Sequence, residues 1–188
     1  MEDSSEKSST PGRVSSRRVY SGKVISVDLD EVRFPNGTTG ELEMVRHSGA
    51  SAVVPLLESA KAPQIVLVRQ YRYAASGYIY EIPAGRLAPD ETPELCASRE
   101  LKEETGYSAA AFTKVTTIYT TPGFTDERIH IFVAERLTLG KSAHEPDEFL
   151  ELYPVPLLEA VEMVKVGKIV DAKTCVALLL TELMLGSR

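Results

Sequence analysis

The chain has 188 residues, 27 Asp and Glu against 21 Lys and Arg, a formal net charge of −6 and a pI near 5.2. Its 43% hydrophobic and 26% charged residues suit a soluble globular protein of one domain of about 150 residues plus a small extra element. That balance argues against a nucleic-acid coat, which needs a surplus of Lys and Arg, and two cysteines, Cys96 and Cys175, provide neither a disulfide framework nor a cysteine-based zinc site.

Residues 1–16 are rich in Ser, Thr, Pro, Glu and Lys without periodicity, which predicts a disordered tail. They also lack the apolar core of a signal peptide. Residues 17–48 read as a small antiparallel sheet: Ile25, Val27 and Leu29 alternate with polar residues, and Asn36-Gly37 marks a turn. The main domain is expected over 49–188. It opens with strand-like runs at 51–57, 65–69 and 78–82. A helix follows between Thr92 and Thr105, with Thr92 as N-cap, Pro93 at its first position and Gly106 to end it. Strands are expected at 115–120, 129–135 and 149–155, and helices at 157–166 and 171–184. The apolar run at 175–185 is broken by Thr181 and Glu182 and is far shorter than the roughly 20 residues of a membrane span. The elements lack a regular alternation, so the expected class is α+β, an α/β/α sandwich around a mixed sheet.

On a helix turning about 100° per residue, Glu100, Glu103 and Glu104 share one face, with Leu95, Ser98, Leu101 and Thr105 on the arc expected to pack on the sheet. The bland reading is a solvated acidic face. Repulsion does not exclude it, at about 0.2–0.5 kcal/mol per like-charged i,i+4 pair. However, a strand leads through Glu81-Ile-Pro-Ala-Gly85 into a glycine turn just before these carboxylates, and clustered carboxylates with backbone carbonyls suit a hard divalent cation.

The stretch from Gly85 to Tyr107 resembles the Nudix box, with Gly85, Glu91, Arg99, Glu100, Glu103, Glu104 and Gly106 at its fixed positions. Tyr107 departs from the usual aliphatic residue. The resemblance implies a hydrolase of nucleoside diphosphates linked to another moiety. It also implies two or more Mg²⁺ (or Mn²⁺) ions held by Glu100, Glu103, Glu104 and the Ala84 carbonyl, and Arg99 paired with Glu91. Glu103 and Arg99 thereby count among the catalytic candidates.

The loop from Thr121 through Pro122 to Arg128, the run Val68-Arg69-Gln70-Tyr71-Arg72, and Gly167-Lys-Ile169 with Asp171-Ala-Lys-Thr174 resemble the ADP-ribose pyrophosphatase subfamily. The expected reaction yields AMP and ribose 5-phosphate. Arg72, and more weakly Arg46, could bind phosphate or ribose oxygens through a fork of donors. Glu81 and Glu127 could accept from ribose hydroxyls or hold metal-bound water, although an ordinary salt bridge serves Arg69 and Glu127 equally well. Tyr20 and Phe34 are candidates for stacking on adenine, with core packing an equal reading for Phe34. In the acidic loop His144 to Glu151, alignment points to Glu148 as the general base, with Glu145 and Glu151 as runners-up. The resemblance also implies a homodimer, and the whole reading is of a cytoplasmic enzyme on a nucleotide-sugar substrate, without nucleic-acid or membrane partners. Other nucleoside diphosphate sugars (ADP-glucose, GDP-mannose), dinucleotides, or a non-catalytic nucleotide sensor remain alternatives.

Overall fold

A computed structural model describes residues 10–57, 62–140 and 150–186, which divide into two compact units. Of the described residues, the smaller comprises 10–47 and 121–127, and the larger the rest.

In the smaller unit, β1 (Gly12–Ser21), β2 (Ser26–Arg33) and β3 (Thr39–Arg46) form an antiparallel sheet in that order. The expected turn is present: Gly37 adopts φ 84°, and Asn36 Oδ1 accepts from the Thr38 amide at 3.1 Å. The tail expected to reach residue 16 gives way to strand at Gly12, because β1 is drawn into order by its ladder with β2, from Gly12 opposite Arg33 to Ser21 opposite Ser26. Every residue of β1 is exposed. Residues 121–127 attach to β3 through backbone bonds, Val45 N to Phe124 O at 2.7 Å and Asp126 N to Val45 O at 3.3 Å.

The larger unit holds a seven-stranded sheet. Its path runs β10 (Leu150–Pro156), β5 (Gln64–Arg72), β4 (Ala50–Leu57), β9 (Arg128–Leu139), β8 (Tyr107–Tyr119), with β6 (Gly77–Glu81) beside β5 and β7 (Ala84–Arg86) beside β4. Only β4 and β9 run parallel, so the sheet is mixed. Alternation along the central strands distributes the helices. Val53, Phe132 and Ala134 pack with Ala97 and Leu101 of α1 (Pro93–Thr105). Ala52, Val54, Ile131 and Val133 face the opposite core, shared with α2 (Leu157–Lys165) and α3 (Ala172–Gly186). The result is the expected α/β/α sandwich.

The ends of α1 follow its sequence signals: Thr92 Oγ1 accepts from the Leu95 amide at 3.3 Å, and Gly106 closes the helix at φ 74°. The expected packing arc is rotated, however. Leu95 is exposed and Ser98 half-buried, while Cys96, Ala97, Glu100, Leu101, Glu104 and Thr105 are buried. Glu100 and Glu104 therefore lie in the middle of the buried face, because the inner surface they cover includes the polar turn at Gly85 as well as the sheet.

Candidate active site

Strand β6 ends in Glu81, Ile82 is fully buried, and the Pro83 carbonyl accepts from the Val53 amide at 2.9 Å, which binds the turn to β4. Strand β7 then places Ala84 opposite Ala52. At Gly85 a Cβ would collide with the Glu100 carboxylate, so glycine is required there by close approach. The spacing of the motif thus encodes a contact between a bare Cα and a carboxylate.

Arg99 joins the loop to the helix. Its Nε and Nη2 donate to Glu91 Oε1 and Oε2 at 2.9 and 3.0 Å, and Nη2 also donates to the Arg86 carbonyl at 3.1 Å. Nη1 bridges Glu100 Oε1 at 2.6 Å and Glu103 Oε2 at 3.0 Å. The Arg99 hydrogen bonds, helped by the Ala88 amide, pull the Glu91 carboxyl down to about 2 against the cost of burial. The same bonds, led by that to Glu91, raise the already high proton affinity of Arg99. Cys96 lies beside this turn, with Sγ 3.5 Å from the Gly85 and Arg86 carbonyl oxygens. Burial first, and then the charges of Glu91 and Glu100, push its thiol up to about 11, which makes it an inert packing residue.

Among the described residues, no three His, Cys, Asp or Glu side chains converge as a ready-made cation cage. Arg99 instead spans Glu100 and Glu103. The donor set still fits a hard divalent ion: three carboxylates on one helix, two of them buried and one seated on Gly85.

Arg72 and Glu81 form a bidentate pair, Nε to Oε1 at 2.6 Å and Nη2 to Oε2 at 2.9 Å. Glu81 is only 2% exposed, and Lys173 bonds its Oε2 as well. Burial alone would raise the Glu81 carboxyl, but Arg72 and Lys173 outweigh it and hold the group below its usual value. Both oxygens are thus engaged by cations. Glu81 is thereby the seat of Arg72.

Arg46 is likewise engaged, by Asp28 at 3.0 Å, Asp126 at 3.2 Å and Asp30. These pairs tie β2 and β3 to the segment that carries Pro122. Glu127 Oε1 lies 3.3 Å from His47 Nδ1. Tyr20 is exposed, whereas Phe34 packs against Gly40. Glu145 and Glu148 lie outside the described residues. Glu151 pairs with Arg69 at 2.9 Å on neighbouring strands. Sequence reasoning missed Lys173: the Asp171-Ala-Lys-Thr174 motif was visible, but nothing local joins it to Glu81, 92 positions away.

The carboxylate-bearing helix, its arginine tie and the glycine seat on a mixed α/β/α sandwich define a particular class. A family model described as NUDIX domain matches residues 46–174. The chain is 42% identical over 167 residues to the ADP-ribose pyrophosphatase of Bacillus subtilis (strain 168), covering 88% of this chain and 89% of that one. It is 40% identical over 166 residues to the methanol dehydrogenase activator of Bacillus methanolicus, covering 87% and 88%. A crystal structure of an ADP compounds hydrolase matches with a TM-score of 0.79 and 23% identity over 95% of each chain, a likeness of fold. The chain belongs to the Nudix family.

Proposed function

We propose that this protein hydrolyses the pyrophosphate bond of ADP-ribose to AMP and ribose 5-phosphate with Mg²⁺ or Mn²⁺. The observation that carries this reading is the Arg99 tie, which holds Glu100 and Glu103 beside the Gly85 turn. The 42% identical relative, named an ADP-ribose pyrophosphatase, supports the choice of substrate. Nudix hydrolases generally require a divalent metal, and here Glu100, Glu103, Glu104 and the Ala84 carbonyl would hold it. When bound, such ions neutralise charge on the pyrophosphate and activate a water for in-line attack on phosphorus.

The chain's own groups do the rest. Arg99 and Glu91 fix the loop and helix relative to each other, so the carboxylates need little reorganisation. Arg72, anchored on Glu81, presents its guanidinium to a phosphate or ribose oxygen. Pro122, with Glu127, belongs to a substrate-recognition segment by resemblance. Glu148 accepts the proton of the attacking water, an assignment that rests on alignment. The N-terminal sheet serves as a dimerisation element, the assembly is a homodimer, and the enzyme works in the cytoplasm. Among the described residues, no helix is long and apolar enough to cross a membrane.

Dinucleotides and other nucleoside diphosphate sugars stay in view, since they share the pyrophosphate. A product-release assay with Mg²⁺ across ADP-ribose, ADP-glucose, GDP-mannose, dinucleotides and nucleoside triphosphates tests the reading. ADP-ribose should give the highest kcat/KM, with AMP as product; preference for another member of the panel would replace the substrate, and inertness toward all would reject the enzyme.

A further inference from the structure

Among the described residues Glu81 is the most deeply buried charge. A bidentate arginine already occupies both of its oxygens, yet a second cation reaches the same carboxylate from the start of α3. Lys173 is 11% exposed, and its Nζ also lies 3.1 Å from Asp171 Oδ2. That oxygen caps α3, accepting from the Thr174 amide at 3.0 Å and from the Thr174 hydroxyl at 2.5 Å. The same hydroxyl accepts from the Ile82 amide at 2.9 Å. The first turn of α3 therefore grips two consecutive residues, Glu81 through Lys173 and Ile82 through Thr174, at the entry to the Gly85 turn.

The charges give a second reason for the lysine. Arg72 and Lys173 face Glu81 and Asp171, a neutral set. Without Lys173 the set would carry −1 next to the arginine proposed to receive an anionic substrate. The Arg72 side chain is 42% exposed, and its Nη1 makes no hydrogen bond among the described residues, so one edge of the fork is available.

We propose that Lys173 is a positioning residue for substrate binding: it fixes Glu81 and offsets its charge, so that Arg72 is held with its exposed edge ready for a phosphate or ribose oxygen. This rests on the pyrophosphatase reading. It assigns a function to a C-terminal motif that lies outside the Nudix box.

Steady-state hydrolysis of ADP-ribose with Mg²⁺ tests it in the full-length protein, comparing wild type with Lys173→Ala, Lys173→Arg, Arg72→Ala and the double variant Arg72→Ala/Lys173→Ala. Lys173→Ala should raise KM about tenfold and change kcat less than about threefold, the signature of lost binding contact. Lys173→Arg should restore most of the loss, and Lys173→Ala should raise KM no further once Arg72 is gone. An unchanged KM overturns the proposal. So does an equal rise with and without Arg72, which would make Lys173 a direct substrate contact. A thermal-unfolding cycle of Lys173→Met and Glu81→Gln reads the Lys173–Glu81 coupling without any turnover, and additive Tm shifts would overturn the proposal even if the substrate reading failed. Inertness of wild type toward the whole substrate panel strikes the underlying reading instead.

Discussion

Arg46 in the smaller unit and Arg99 in the larger each hold three carboxylates, Asp28, Asp30 and Asp126 in the first case and Glu91, Glu100 and Glu103 in the second. Around Arg46 the acids are matched by protein donors. Arg18 bonds Asp28, the Ser16 hydroxyl donates to Asp30 at 2.6 Å, and both acids are buried between strands. Two guanidiniums there face three carboxylates. Around Arg99 one guanidinium serves three, with Glu104 buried on the same helix face, and Glu103 is 44% exposed. A saturated cluster ties strands together. One gathered on a single helix face, with Glu104 buried beside it, is suited to an external cation.

The largest effect that would separate the two clusters is expected at Glu104. Glu104→Gln keeps the shape of the side chain and removes the charge, so turnover should fall on the order of 10²–10⁴-fold, the several kcal/mol that metal assistance contributes. The Tm without Mg²⁺ should stay within a few degrees of wild type. Added Mg²⁺ should raise the Tm of wild type by binding the native state, and raise that of the variant much less. Wild-type-like turnover in Glu104→Gln would reject the metal assignment.

A pair of conservative substitutions gives a smaller, crossed pattern. Lysine supplies one point charge and cannot reproduce a two-pronged contact. Arg99→Lys should reduce kcat/KM about tenfold through the loosened loop and helix. Arg46→Lys should lower Tm more than Arg99→Lys does, because it strands acids that are buried in the sheet. Kinetics and calorimetry on both variants check this, and the comparison breaks if Arg46→Lys shows the larger kinetic loss and Arg99→Lys the larger thermal one.

The two clusters also differ in how far the sequence reveals them. Gly85, Glu91, Arg99, Glu100, Glu103 and Glu104 sit within 20 residues, and helix geometry alone puts the acids on one face. The Arg99–Glu91 tie is a short-range consequence of that motif. The helix caps Thr92 and Gly106 are equally local. The burial of that face was not legible, since the periodicity of α1 gives Leu95 no less reason to pack than Ala97. Strand β7, three residues long, carries no pattern of its own and exists through its pairing with β4. Arg46 with Asp126, and Lys173 with Glu81, are 80 and 92 positions apart in sequence. Such pairs are set by sheet register and helix docking, so the sequence offers the charges without saying which ones meet.

The smallest effect is acid sensitivity at the Arg99 tie, read as stability in metal-free protein. The native Glu91 carboxyl is held at about 2 against an ordinary 4.5. Its group is therefore ionised and bonded to Arg99 throughout the neutral range, and its contribution is complete above pH 4.5. As pH falls toward about 2 the unfolded chain takes up the proton first, so the contribution shrinks across that window. Asp28 and Asp30, also held below their usual values, lose stability in the same direction, Asp28 through Arg18 and then Arg46, and Asp30 through Ser16 and Arg46 despite burial. Subtracting the Tm of Glu91→Gln from that of wild type at each pH removes those shared contributions. The difference should be positive and flat from about pH 7 to 5 and should narrow from there to about pH 3. A difference that stayed constant to pH 3 would mean that Arg99 does not hold Glu91 in solution, and the tie on which the metal-binding arrangement depends would have to be redrawn.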